Sequence, residues 1–356
     1  MSQDNNQEPL RITLDELSSV ASAPGAELAA PGASAALAPG TKSYGNINAT
    51  PDAPTMPQEK SSILLQAWFY LGLSGLLGAL AGWGIAEPAF VDNGAHRWGN
   101  IWLIPLIVTL MCVGFAISES IVERSPRKAL IRGGLALPLG IVLAFVFDGI
   151  ANIIFSIGVS ICSAAGVQTS HNPAFWVARG LAWMVFGVAG GVVYGIIGQS
   201  MKKTGYGALG GAVGALVGGL IFDPISFATH GGAVSRAVGF GLLGLATGVA
   251  IGLVESALKD RWLYVTSGPL AGKQFILYKP RTTMGSSQDC DIYLFKDADI
   301  LPQHAVLEVK GSRTHLVTTG MVYAAGQPVR GMRVLESGSV IQLGRYGFRY
   351  QEKQRG

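Results

Sequence analysis

Six long apolar runs dominate the middle of the chain, at residues 63–86, 101–118, 130–147, 174–198, 206–222 and 233–258. None alternates apolar and polar positions as a half-buried strand does. They approach the ~20 residues that a helix needs to cross a bilayer core. The run at 130–147 contains Pro138, and the run at 206–222 is short and glycine-rich; both are counted as spans. The apolar stretch 150–166 fits either a prolonged third helix or a segment lying in the interface, and the pattern does not separate the two. Residues 1–60 are polar, rich in Ala, Pro and Ser, and too poor in bulky apolar groups to bury a core, which predicts a disordered tail. The first apolar run begins near Ser62, too late for a cleaved signal peptide.

Past Arg261 the pattern changes. Strand-like runs appear at 262–265, 274–277, 291–294, 305–309, 314–317, 340–343 and 347–350, separated by Gly, Pro and Ser turns. Short strands at this density predict a β-sandwich. The expected architecture is α + β in separate domains. A tail occupies 1–60, a polytopic glycine-rich transmembrane bundle of about six helices in three hairpins occupies 61–260, and a small β-sandwich occupies 261–356.

The hairpin expectation rests on an internal repeat. Odd-numbered helices end in an acidic residue at a turn: Glu87-Pro88, Asp148-Gly149 and Asp223-Pro224. Even-numbered helices begin near Arg97, Arg179 and Arg236 and end in Glu119-Ser120, Gln199-Ser200 and Glu255-Ser256. Repeats of this kind are common in membrane folds. Basic residues crowd one side of the spans (Lys60, Arg124, Arg127, Lys128, Arg132, Lys202, Lys203, Lys259, Arg261), so that side is expected in the cytoplasm together with both termini. The predicted location is a plasma or inner membrane, with the lipid bilayer itself as a partner.

Composition agrees: 49% of the residues are hydrophobic and 13% are charged, and the mean hydropathy is +0.39. Among 49 glycines, several recur every fourth residue, as at Gly187, Gly191 and Gly195, or Gly244, Gly248 and Gly252. That spacing puts them on one helix face, where backbones approach closely. A sliding or path-lining interface would use the same stripe; tight structural packing is the simpler reading. The intramembrane residues Glu87, Asp148, Asp223, Arg97, Arg179 and Arg236 sit at predicted helix ends and are read as a structural ring of carboxylate–arginine pairs rather than an ion site. Cys112, Cys162 and Cys290 lack metal-ligand spacing, and His171 and His230 have no ligand-spaced companions. No metal, cofactor, nucleic-acid partner or catalytic constellation is expected, and the chain is not read as an enzyme.

In the β region the residues resemble a known family. The pieces are Gly268-Pro-Leu-Ala-Gly272, Met284-Gly285-Ser286-Ser287, Cys290-Asp291-Ile292, His304-Ala305, the stretch from Tyr323 to Val329, and the stretch from Gly338 to Gly344. Their order and spacing resemble the forkhead-associated (FHA) domain over about 262–352, here fused to a multi-span region as in FHA-containing bacterial membrane proteins. The resemblance implies a sandwich that reads phosphothreonine peptides with loops at one end. It also implies an arginine where Ser286 stands, a serine where Leu301 stands, an Asn-Gly pair near Gly320-Met321, and a loop-bracing histidine, retained as His304. A phosphate is bound by a guanidinium fork, a hydroxyl and backbone N–H groups, so three departures weaken that chemistry. The candidate partner-binding set is Arg281, Gly285, Ser286, Ser287, Leu301, Gln303, His304 and Gly320, with Arg281, Lys296 or Arg313 as sources of charge. Cys290 reads as a core residue.

The sequence therefore points to a membrane-anchored interaction protein that presents a cytoplasmic FHA-like domain with a degenerate phosphothreonine pocket to protein partners. One alternative is a transporter or channel regulated by that domain. Another is a phosphothreonine-dependent signalling adaptor of the ordinary FHA kind.

Overall fold

The computed structural model describes residues 62–91, 97–166, 172–229 and 231–353. The expected tail at 1–60 lies outside the described residues, as do His171 and His230.

Six helices follow in order: α1 (Ala67–Ala86), α2 (Trp98–Val122), α3 (Pro126–Ala164), α4 (Pro173–Ile197), α5 (Met201–Ala228) and α6 (Gly232–Leu258). All six are long and apolar enough to cross a membrane. Local chemistry sets several starts. Pro126 and Pro173 occupy the first helical position, where their missing N–H costs nothing. Asn172 caps α4 by accepting from the Ala174 amide at 3.0 Å, and Ser200 caps α5 by accepting from the Lys203 amide at 3.3 Å.

The bundle buries small residues at its helix contacts alongside large ones such as Phe115, Leu71 and Ile251. Ala79, Ala136, Ala144, Ala189 and Ala215 are fully buried, whereas Leu77, Leu130, Val142 and Ile153 are mostly exposed. The glycine stripes explain the close packing. A Cβ on Gly187 or Gly191 of α4 would run into the backbone of Gly211 or Gly207 of α5. On α6, a Cβ on Gly244 or Gly248 would strike Gly75 or Leu71 of α1. Helices that meet backbone to backbone gain dispersion contacts, the main driving term where lipid removes the hydrophobic one.

Two expected helix ends are not ends. Asp148-Gly149 lies inside α3 and Asp223-Pro224 lies inside α5. The stretch 150–166 thus prolongs the third helix without a break, to Ala164. A single glycine costs a helix about 1 kcal/mol, too little to stop one that is apolar on both sides. A proline removes one hydrogen bond yet keeps helical φ, and apolar helices tolerate it. Glu87, by contrast, does sit at a turn, in the 3₁₀ segment Glu87–Ala89.

The C-terminal part is a two-sheet sandwich. Its strands are β1 (Arg261–Ser267), β2 (Gln274–Ile276), β3 (Arg281–Gly285), β4 (Ile292–Tyr293), β5 (Ala305–Lys310), β6 (Arg313–Thr318), β7 (Val322–Ala324), β8 (Gln327–Val329), β9 (Met332–Leu335), β10 (Val340–Leu343) and β11 (Tyr346–Glu352). One sheet has the order β2-β1-β11-β10-β7-β8 and the other β4-β3-β5-β6-β9. Only β3 and β4 run parallel among the paired strands. Leu263, Val265, Ile341, Leu343 and Phe348 of the first sheet pack on Met284, Ala305, Leu307, Leu316 and Leu335 of the second. Strands β3, β7, β8 and β9 go beyond the sequence expectation.

Candidate functional site

Three loops meet at one end of the sandwich: those after β3, before β5 and between β6 and β7. Strand β3 ends at Gly285, whose missing side chain leaves room for the Pro302 backbone; a Cβ there would strike it. The amides of Ser286 and Ser287 then donate to the carbonyls of Leu301 (3.0 Å) and Pro302 (3.1 Å). The Ser286 hydroxyl donates to the Ile300 carbonyl at 2.7 Å. The Ser287 hydroxyl accepts from the Asp289 amide at 3.1 Å.

His304 is buried and braces the end. Its Nδ1 accepts from the Leu301 amide at 3.0 Å, so its Nε2 carries the proton and donates to the Met321 carbonyl at 2.9 Å. Gly320 lies under the imidazole, where a Cβ would collide with the ring. Around this frame Leu301 is 44% exposed and Met321 67% exposed. Gln303 is also exposed.

The structure thus gathers Gly285, Ser286, Ser287, Leu301, Gln303, His304 and Gly320. Arg281 is not among them: it opens β3 at the far end of the strand, paired across to Glu308 of β5. Arg313 opens β6 beside Lys310, also away from the loops. Lys296 does lie in the loop before β5, with a positive φ of 62°. Cys290 is a buried thiol that donates to the Pro302 carbonyl at 3.1 Å, and burial pushes its pKa up.

The same loop end is seated on the helices. The Ser125 hydroxyl donates to Gln288 at 3.0 Å. Arg127 pairs with Asp289 at 2.9 Å, and Lys128 donates to the Cys290 carbonyl at 2.6 Å. The Arg124 guanidinium stands 5.8 Å from the ring centroid of Phe295. Beside these contacts runs a buried polar seam. Lys273 pairs with Glu123 at 2.8 Å, both nearly inaccessible. Tyr278 donates to Glu255 at 2.7 Å, and burial, reinforced by that carboxylate, raises its phenol well above the ordinary value, so it stays a donor. Behind them Lys203 pairs with Glu119 at 2.6 Å, Arg132 reaches Glu119 at 3.2 Å, and the Tyr194 hydroxyl lies between Glu119 (2.9 Å) and Glu255 (3.1 Å).

The sequence reading used Glu119 and Glu255 only as helix-end markers and Lys203 only as one of the basic residues that orient the spans, and missed this seam. The available signal was two carboxylates ending apolar helices on the basic side, where a lone acid would be costly to bury.

At the opposite end of the bundle Arg236 pairs with Glu87, its Nε 3.1 Å from Oε2, and Arg179 pairs with Asp223 at 2.9 Å. Arg179 also packs on Phe155, Trp183 and Phe222. Asp148 is bonded to Asn152 at 3.1 Å instead of to an arginine. Arg97 is the N-cap of α2, exposed, and forms no ion pair with a described residue.

The comparisons bear on the sandwich. Residues 264–354 match the family described as "Inner membrane component of T3SS, cytoplasmic domain". Among curated proteins, the chain is 33% identical over 87 residues to an oxoglutarate dehydrogenase inhibitor of Corynebacterium efficiens, covering 24% of this chain and 60% of that one. It is likewise 33% identical over 87 residues to the glycogen accumulation regulator GarA of Mycolicibacterium smegmatis, covering 24% and 54%. The chain therefore spans little more than half the length of these relatives. Among solved structures, the cytoplasmic domain of the sorting-platform protein PscD from P. aeruginosa aligns at 23% identity and a TM-score of 0.25, over 27% of this chain and 83% of that one. The FHA domain of a Chlamydia trachomatis protein aligns at 22% identity and a TM-score of 0.25, over 27% and 100%. The class that results is six apolar helices followed by an FHA-like β-sandwich.

Proposed function

We propose that this is a membrane-anchored interaction protein whose helical bundle holds an FHA-like domain at the cytoplasmic face of an inner membrane, with both termini on that side. The domain organisation in this reading is a tail at 1–60, the bundle at 61–260 and the sandwich at 261–356. The description of the matching family, an inner-membrane component's cytoplasmic domain, supports the location, as do six spans of sufficient length. The partner is a protein that binds the loop end through apolar contact, without strict need of a phosphate. One observation carries this: the Ser286 hydroxyl, which stands where a guanidinium fork is expected, is spent on the Ile300 carbonyl at 2.7 Å, while Leu301 and Met321 offer exposed apolar surface beside it. Because Gln288, Asp289 and Cys290 rest on the turn 125–128, the partner reaches the site along the membrane surface.

A phosphothreonine-dependent adaptor is the second reading, favoured by Arg124 and Arg127, which stand close to the loops. Calorimetry of the detergent-solubilised chain against matched phosphorylated and plain threonine peptides separates the two. The expected preference for phosphate is less than tenfold; a micromolar affinity confined to the phosphorylated set establishes the second reading instead.

A further inference from the structure

The far half of α3 roofs a cavity of about 420 Å³ at the end of the bundle away from the sandwich. Asp148, Ala151, Asn152 and Phe155 all face it; they are spaced as one stripe of a helix. The cavity exists because small residues from the other helices also face it, Ala182, Ser226, Gly232 and Ser235 among them. Its size lies within the roughly 300–1,000 Å³ typical of small-molecule sites, and its lining is the usual mixture of aromatic surface and a few polar groups.

Among the described residues the cavity wall carries three charged side chains, Arg179, Arg236 and Asp148. Arg179 is matched by Asp223 and Arg236 by Glu87. Both guanidiniums are further covered by rings, Arg179 by Phe155, Trp183 and Phe222 and Arg236 by Phe90 at 4.3 Å. Among the described residues Asp148 is bonded by Asn152, a neutral donor one helical turn away. Among the described residues, Asp148 is thus the carboxylate that lines the cavity and has no cationic partner. A carboxylate half withdrawn from water beside apolar walls is stabilised most by a cation that brings its own hydrogen-bond donors.

We propose that this cavity is a binding site for a small organic monocation, a primary or secondary amine with an apolar body. Its ammonium donates to the Asp148 carboxylate, and the Asn152 amide oxygen is placed to accept a second N–H. Its body lies against Phe186, Phe240 and Ile104, the apolar surfaces of the cavity not covered by Arg179. Anions are disfavoured because both arginines are already neutralised. This site is independent of the partner reading for the sandwich, and either stands if the other fails.

The test uses the full chain in detergent micelles, with 2-phenylethylamine as probe, 3-phenylpropionate as its anionic counterpart and 3-phenylpropanol as the neutral one, read by titration calorimetry. The expected result is saturable amine binding at least tenfold tighter than either comparison compound. Asp148→Asn weakens the amine at least tenfold, and Asp148→Glu retains most of the affinity. Should Asp148→Asn unfold, the charge selectivity on the native chain together with Asp148→Glu decides the matter. No amine binding at millimolar concentration, equal binding of the neutral or anionic compound, or full affinity in Asp148→Asn overturns the proposal.

Discussion

At the scale of single residues, the polar groups that matter are those with no water to fall back on. Lys273 and Glu123 are both nearly inaccessible and hold the sandwich to the helices. Removing Lys273 leaves Glu123 the longer contact to Lys128, 3.5 Å away; breaking a buried pair typically costs about 3–5 kcal/mol, whereas replacing both members by apolar residues of similar size is often neutral. Lys273→Met alone should therefore lower the thermal unfolding midpoint sharply and open the 258–262 junction to protease. Combining it with Glu123→Leu should recover most of the loss. Asp291 gives a pH signature. Burial opposes its ionisation, but the Lys279 ammonium at 2.8 Å and the Thr283 amide at 2.9 Å outweigh that and hold its carboxyl below the usual range. A depressed folded pKa contributes stability that is present above the unfolded value of about 3.9 and is lost as pH falls through the folded one. The stability advantage of the native chain over Asp291→Asn, measured by thermal melts, should be full near neutrality and shrink once the pH drops below about 4.

At the scale of elements, helix pairing depends on which glycines meet a neighbour. Gly191 of α4 abuts Gly207 of α5 through backbone, so Gly191→Leu must push two helices apart and should abolish a monodisperse folded bundle in size-exclusion chromatography. Gly134 of α3 has open space around it. Gly134→Ala should be tolerated, and should raise stability by roughly 0.5–1 kcal/mol through reduced backbone entropy in the unfolded chain. If both substitutions behaved alike, packing would not be what the stripes are for. Among the strands, β7 and β8 were invisible to the hydropathy pattern because Val-Tyr-Ala is apolar throughout and Gln-Pro-Val contains a proline, so neither alternates. They pair through a two-residue turn in which Ala325 and Gly326 both take positive φ, of 51° and 77°, as a primed hairpin turn requires. Strand β9 hid for another reason: it is an edge strand with Met332, Arg333 and Val334 all exposed, so no buried–exposed alternation marks it.

At the scale of the whole molecule, the sandwich is not a ball on a tether. Its loop end and the seam around Glu123, Lys273 and Tyr278 fix it against the helices. Cysteines at Arg127 and Asp289 should therefore be joined by a short thiol cross-linker in native membranes in high yield; a yield no better than that of a control pair on opposite faces of the sandwich would mean free rotation. The orientation proposed for the bundle makes a cysteine at Lys202 unreactive to impermeant reagents added outside the cell, and one at Arg97 reactive. The opposite pattern inverts the topology.

What the sequence determined by itself was what depends on transfer from water and on local spacing. Six apolar runs of bilayer length, glycine every fourth residue and the switch to short strands after Arg261 are each legible without neighbours, because burial free energy follows the residue type and its period. Gly285 and His304 were legible as parts of a motif whose order survives in the chain. The tertiary structure alone decided where charges find partners. Arg179 meets Asp223 from 44 residues away, Arg236 meets Glu87 from 149, and Lys273 meets Glu123 from 150. It also decided that Asp148 meets none of the described arginines, that Arg281 lies away from the loop end, and that α3 runs on past Gly149. An ion pair is specified by the relative placement of two elements, and a helix end by the balance of a weak local break against long-range packing; neither quantity is encoded in the spacing of residues along one segment.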